Sequence, residues 1–149
     1  MVQVLVVDDD PDIRMVLSLL LAEADHTVSL AQDGPEALQL LRTSRGGCVV
    51  LLDIKMPVMD GWAALRIVQQ EDQLTRRHAF VVITAGQRTF PLVQARLLAE
   101  WRMPIPVLPK PFDIVDLHTV VNQAAQSLGR PPSADENRSS EQAGCPGAR

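Results

Sequence analysis

The chain has 149 residues, 46% of them hydrophobic, with a net charge of -4 and a pI near 5.3, which suffices for one domain with a core and falls short of two ordinary ones. That acidic balance argues against a direct nucleic-acid partner held by its phosphates, no apolar run is long enough to span a membrane, and Met1-Val2-Gln3 lacks the basic flank of a signal peptide. Cys48 in an apolar segment and Cys145 in a polar one fit reduced thiols better than a disulfide framework, so a cytoplasmic protein is expected.

Gln3 to Val7 is apolar and ends in Asp8-Asp9-Asp10-Pro11. This predicts a buried strand, an acidic loop, and a helix with Asp10 as N-cap and proline in its first position. From Ile13 to Ala24, Ile13, Val16, Leu17, Leu20 and Leu21 recur at helical spacing. Thr27 to Ala31 is a second short strand. Asp33-Gly34-Pro35-Glu36 opens the next helix with a capping-box-like spacing, and that helix ends near Gly46-Gly47. Cys48 to Asp53 is a strand buried on both faces, broken into a loop by Pro57 and Asp60-Gly61. Trp62 to Gln70 is the third helix, Phe80 to Ile83 the fourth strand, and Pro91 to Glu100 the fourth helix.

In Met103-Pro104-Ile105-Pro106-Val107-Leu108-Pro109-Lys110-Pro111 the prolines permit an edge strand or no strand at all; in an edge strand Pro104 and Pro106 face the open side while Ile105 and Val107 bond inward. Asp113 to Leu128 is the last helix. Residues 1–128 then form one domain, and 129–149, rich in Gly, Pro, Ser, Glu, Asn and Arg, read as a disordered tail or a linker to a further module. Five alternations of strand and helix imply an α/β protein, a parallel sheet covered by helices on both faces with right-handed crossovers.

Asp8 and Asp9 follow the first strand, Asp53 stands at the end of the third, Thr84 follows the fourth, and Lys110 follows the fifth. In a parallel sheet all of these lie at the carboxyl edge, where ligands bind. Three crowded carboxylates raise one another's pKa unless a cation neutralises them. A hard divalent ion answers this, and Mg²⁺, which takes one or two carboxylates with waters and phosphate oxygens, fits best. Thr84 adds a hydroxyl donor and Lys110 a compact ammonium. The chain's 14 basic residues include only two lysines, Lys55 and Lys110, and both fall beside Asp53, which suggests that an amine is wanted there. Each residue alone has an ordinary alternative, as helix-start charge, strand filler or solvated side chain; their joint placement at the ends of the right strands argues for a site. Trp62, Trp101 and Phe112 are expected to pack, and His26, His78 and His118 to have no metal role.

Val6-Val7-Asp8-Asp9-Asp10, Leu52-Asp53-Ile54-Lys55-Met56-Pro57-Val58-Met59-Asp60-Gly61, Ile83-Thr84-Ala85 and Leu108-Pro109-Lys110-Pro111-Phe112 resemble the receiver domain of two-component response regulators. The resemblance covers about residues 1–128. It implies a flavodoxin-like doubly wound sheet of five strands in the order 2-1-3-4-5. It also implies phosphoryl transfer from a phosphohistidine of a sensor histidine kinase or phosphotransfer protein to Asp53, with a downstream protein partner and no turnover of substrate. Asp8, Asp9, Asp53 and the backbone carbonyl of Lys55 would hold Mg²⁺. Thr84 would move to hydrogen-bond the phosphoryl group, Lys110 would pair with it, and Lys110-Pro111 would be cis.

Three features depart from the family pattern. Val107 stands three residues before the lysine, where many members carry an aromatic that swings inward, and the chain has no Tyr. The Thr84 to Lys110 segment is longer than usual and lacks the Gly-Ala turn, in a region through which members often form homodimers. The Lys55 side chain is placed to flank the phosphoryl group. No catalytic or DNA-binding module follows, so a stand-alone receiver is expected. A phosphorylation-independent scaffold is the alternative, and an Asp-nucleophile phosphatase is disfavoured because no second carboxylate or cap follows Asp53.

Overall fold

The computed structural model describes residues 2–56, 58–86, 88–101 and 105–128. The expected tail at 129–149, together with Pro57, Met103 and Pro104, lies outside them. Five strands, β1 (Gln3–Val7), β2 (Thr27–Ala31), β3 (Cys48–Asp53), β4 (Ala79–Ala85) and β5 (Val107–Lys110), form one parallel sheet in the order β2-β1-β3-β4-β5. This is the flavodoxin-like arrangement expected.

Helices cover both faces because the central strands carry consecutive aliphatic side chains, Val4–Val7, Val49–Leu52 and Val81–Ile83, that point alternately to each face. Val4, Val6, Val49, Leu51, Val81 and Ile83 point to one face, against Leu17 and Leu21 of α1 (Pro11–Glu23) and Leu117 and Val121 of α6 (Ile114–Ser127). Leu5, Val7, Val50, Leu52 and Val82 point to the other, against α2 (Gly34–Thr43), α3 (Gly61–Gln70), α4 (Asp72–Arg77) and α5 (Phe90–Glu100). Truncating a central side chain such as Leu51, wholly buried, costs about 2–5 kcal/mol by analogy with other cores.

Acidic caps start α1, α2, α3 and α6, as expected at Asp10 and Asp33 and in addition at Asp60 and Asp113. The carboxylates of Asp10, Asp33, Asp60 and Asp113 accept from the backbone N–H of Asp12, Glu36, Ala63 and Asp116. In the α2 cap, Glu36 reaches back to the N–H of Gln32, one residue beyond the position a true capping box would use. The helix α4 was not expected. It is a single short segment burying only Leu74, so it has no periodicity to read. Its N-cap Glu71 makes no capping bond and pairs instead with Arg42 of α2.

The proline-rich run corrects an expectation. β5 is the sheet edge, but the carbonyl of Pro106 accepts from Val82 N at 3.0 Å and that of Lys110 from Gly86 N at 3.1 Å. The even-numbered residues therefore face β4, and alternation directs Pro109, not Pro106, to the open side. Proline lacks only the donor, so Pro106 still serves as an acceptor where the strand begins.

At the opposite end of the sheet, His78 is 5% exposed and ties three elements together. Its Nδ1 accepts from Cys48 N at 3.0 Å, and its Nε2 lies 3.3 Å from the Leu41 carbonyl. Accepting at Nδ1 requires the neutral ring with its proton on Nε2. Burial holds the pKa below its usual 6.5, so this stability is fully present above pH 6.5 and is lost as pH falls to the lower folded value. Thermal melts between pH 7.5 and 5 should show a shallower acid loss in His78→Gln, which keeps a donor and an acceptor but cannot titrate; parallel slopes would remove His78 as the source.

Candidate functional site

The strand termini bring the expected residues together. Asp8, the residue after β1, and Asp53, the last of β3, are buried at 1% and 5% exposure, whereas Asp9 is exposed. One carboxylate oxygen from each of the three can be chosen so that all lie within 4.8 Å of one another. Lys110, at the end of β5, places Nζ 3.2 Å from Asp8 Oδ2 and 3.8 Å from Asp53 Oδ2. The Lys110-Pro111 peptide is cis, as the resemblance implied. Thr84 is buried one residue beyond Ile83, the register neighbour of Asp53.

Local bonds fix the two buried carboxylates. Asp8 Oδ1 accepts from Asp10 N at 2.9 Å, and Asp53 Oδ1 from Lys55 N at 3.3 Å. The loop after β3 turns tightly because Gly61 N donates to the Ile54 carbonyl at 2.8 Å. A Cβ on Gly61 would sit 2.7 Å from the Asp53 carbonyl and 2.8 Å from Ile54 Cα, both backbone atoms. Only glycine allows α3 to start that close to the strand. The Lys55 side chain is exposed, and Lys55 lines a shallow hollow with Asp9, Ile54, Met56 and Asp60.

Burial pushes the Asp53 carboxyl up to about 6; the adjacent Asp8 charge adds to this, while Lys110 and the Lys55 N–H oppose it. Two buried carboxylates and a third at the rim share one ammonium, an excess of negative charge that a divalent cation would offset. The donor set, all oxygen and partly open to solvent through Asp9, suits Mg²⁺.

Sequence reasoning missed two contacts. Arg14 of α1 donates to the Asp8 carbonyl at 2.6 Å, steadying the acidic loop from behind. Thr89 Oγ1 lies 3.0 Å from Thr84 Oγ1. Neither residue carried a pattern that pointed to the site. The aromatics pack as expected: Trp101 meets Phe80 edge-on at 6.2 Å, Phe112 lies against the α1/α6 core, and Trp62 is covered by the Arg96 guanidinium 4.0 Å from its ring centre. Val107 is a half-buried packing residue against the α2/α3/α5 face. Among the described residues no helix is long and apolar enough to cross a membrane.

Comparison with known proteins agrees with this geometry. Residues 4–122 match the response regulator receiver domain family. The chain is 36% identical over 119 residues to the DNA-binding transcriptional regulator NtrC of Escherichia coli K12, covering 80% of this chain and 24% of that protein. It thus spans about a quarter of the length of that relative. A CheY-like receiver domain protein from Methanospirillum hungatei is 29% identical with a TM-score of 0.70, over 85% of this chain and 96% of the other. The Thermotoga maritima response regulator TrrA, solved in complex with Mg(2+)-BeF, is 26% identical with a TM-score of 0.66, over 83% and 99%. Receiver domains are signalling modules that bind Mg²⁺ at an aspartate cluster and interact with histidine kinases or phosphotransfer proteins. With the strand order, the three aspartates, the lysine and the matched residues in agreement, the chain belongs to the receiver domain family of two-component response regulators.

Proposed function

We propose that residues 1–128 act as a receiver that accepts a phosphoryl group on Asp53 from a phosphohistidine of a sensor kinase or phosphotransfer protein, and that it signals from the cytoplasm by changing its protein contacts. The observation that carries this is the convergence of Asp8, Asp9 and Asp53 within 4.8 Å, with Lys110 Nζ reaching both buried carboxylates.

In this reading an Asp53 carboxylate oxygen attacks phosphorus as the phosphorus–nitrogen bond to the donor imidazole breaks, and the imidazole departs with the bonding pair. Asp53 must be ionised to attack. Lys110 and the Lys55 N–H favour that form and hold the carboxylate in one orientation, which supplies the positioning such a transfer needs. Asp8, Asp9, Asp53 and the Lys55 carbonyl would hold Mg²⁺, which when bound neutralises the developing phosphoryl charge. After transfer Lys110 pairs with a phosphoryl oxygen and Thr84 donates to another. The added negative charge and acceptor oxygens then bias the surrounding loops.

Mass spectrometry after incubation with Mg²⁺ and acetyl phosphate should show one Mg²⁺-dependent phosphoryl adduct that is absent in Asp53→Asn. If Mg²⁺ binds but no adduct forms, the reading gives way to a phosphorylation-independent scaffold, which the packed Val107 in place of an aromatic favours. Lys55→Ala, which keeps the backbone N–H and carbonyl, should alter the lifetime of the adduct several-fold; an unaltered lifetime would leave Lys55 with its backbone role alone.

The raised Asp53 pKa carries a stability consequence. Its folded value of about 6 exceeds the ordinary 3.8, so its stabilising contribution is complete below pH 3.8 and is lost as pH rises through 6. At pH 7.5 the ionised group is a net cost, on the order of 2–3 kcal/mol at most. Asp53→Asn should therefore melt higher than wild type at pH 7.5 in chelator, and saturating Mg²⁺ should narrow the gap. A variant that melts no higher in chelator would contradict the charge-crowding account.

A further inference from the structure

The hydroxyl of Thr84 is already engaged. Among the described residues its partner is Thr89 Oγ1, at 3.0 Å. Thr89 Oγ1 in turn lies 2.6 Å from the Ala85 carbonyl oxygen and 3.1 Å from that of Gly86. Carbonyl oxygens only accept, so the single hydroxyl proton of Thr89 goes to them. What Thr89 offers Thr84 is a lone pair. Thr84 must then be the donor, and its one proton is directed at Thr89.

A phosphoryl group on Asp53 also presents only acceptors at its oxygens. The proton Thr84 would give to it is the same proton it gives to Thr89. We propose that Thr89 is a positioning residue that holds Thr84 in its phosphoryl-free arrangement, so that phosphoryl binding at Asp53 proceeds by exchange of the Thr84–Thr89 hydrogen bond for a Thr84–phosphoryl one. The inference rests on the receiver reading of Thr84 and names the group with which the phosphoryl competes. Burial sharpens the competition, because Thr84 is 3% exposed and a buried hydroxyl is costly to leave without a partner. Thr89 is also the N-cap residue of α5, and its own carbonyl accepts from Val93 N at 2.9 Å. The exchange therefore releases a tie between the end of β4 and the first turn of α5.

The test is the affinity of the full chain for beryllium trifluoride, a phosphoryl mimic, in saturating Mg²⁺. Thr89→Val removes the acceptor at nearly constant shape. Losing one neutral hydrogen bond from the anion-free state should tighten binding about 3- to 10-fold. Thr89→Ser should restore the wild-type affinity, and in a Thr84→Val background Thr89→Val should have no effect. Thr89→Ala carries the same expectation should the valine variant fail to fold. A merely structural role for Thr89 would weaken binding or leave it unchanged, and either result overturns the proposal, as does an effect that persists without the Thr84 hydroxyl or is not restored by serine. Absence of anion binding by wild-type protein that does bind Mg²⁺ would instead count against the receiver reading itself, and so against the inference that rests on it.

Discussion

The structure around the site depends on an unequal sharing of charge: two buried carboxylates and a third at the rim meet one lysine ammonium where four strands end. Each supporting contact at that edge limits the cost of this crowding. The Asp10 N–H and Lys110 satisfy Asp8, the Lys55 N–H and Lys110 satisfy Asp53, and Arg14 holds the Asp8 carbonyl from outside the cluster. The imbalance that remains is an excess of negative charge that a divalent cation would offset. A perfectly neutralised cluster would be more stable and chemically inert.

The two-faced core explains why this imbalance can be tolerated. Central strands buried on both sides, with helices packed against each, make a rigid frame whose carboxyl edge is the one place where polar groups converge. At the other edge His78 does the opposite job, closing the ends of α2, β3 and β4 with an uncharged ring. Stability and reactivity are thus assigned to opposite ends of the same sheet.

Much of this was legible in the sequence, and the reasons are specific. β2 and β3 begin and end where turn residues and hydrophobic runs place them, and the site aspartates, Thr84 and Lys110 stand at strand ends, where topology alone brings them together. Short α4 escaped because six residues with one buried leucine leave no period to detect. The facing of β5 was misjudged because proline's lost donor was weighed and its retained carbonyl was not. The Arg14, His78 and Thr89 contacts were hidden because each joins a side chain to a loop or a strand end whose path depends on tertiary packing. The absence of an aromatic at Val107 was visible at once, but the Thr84–Thr89 bond, which ties β4 to α5 on the same side of the sheet, was not.

The scarcity of lysine has a practical side. Arginine is used for every other basic position, so the molecule's only side-chain amines are Lys55, exposed beside the aspartates, and Lys110, a quarter exposed and held by two carboxylates. Apart from a terminal α-amine, the groups that an acylating or reductively alkylating reagent labels on this chain therefore both lie at the site. The contrast between a solvated amine and a doubly paired one builds a fast and a slow channel into a single labelling experiment, with the slow channel reporting the occupancy of the cluster.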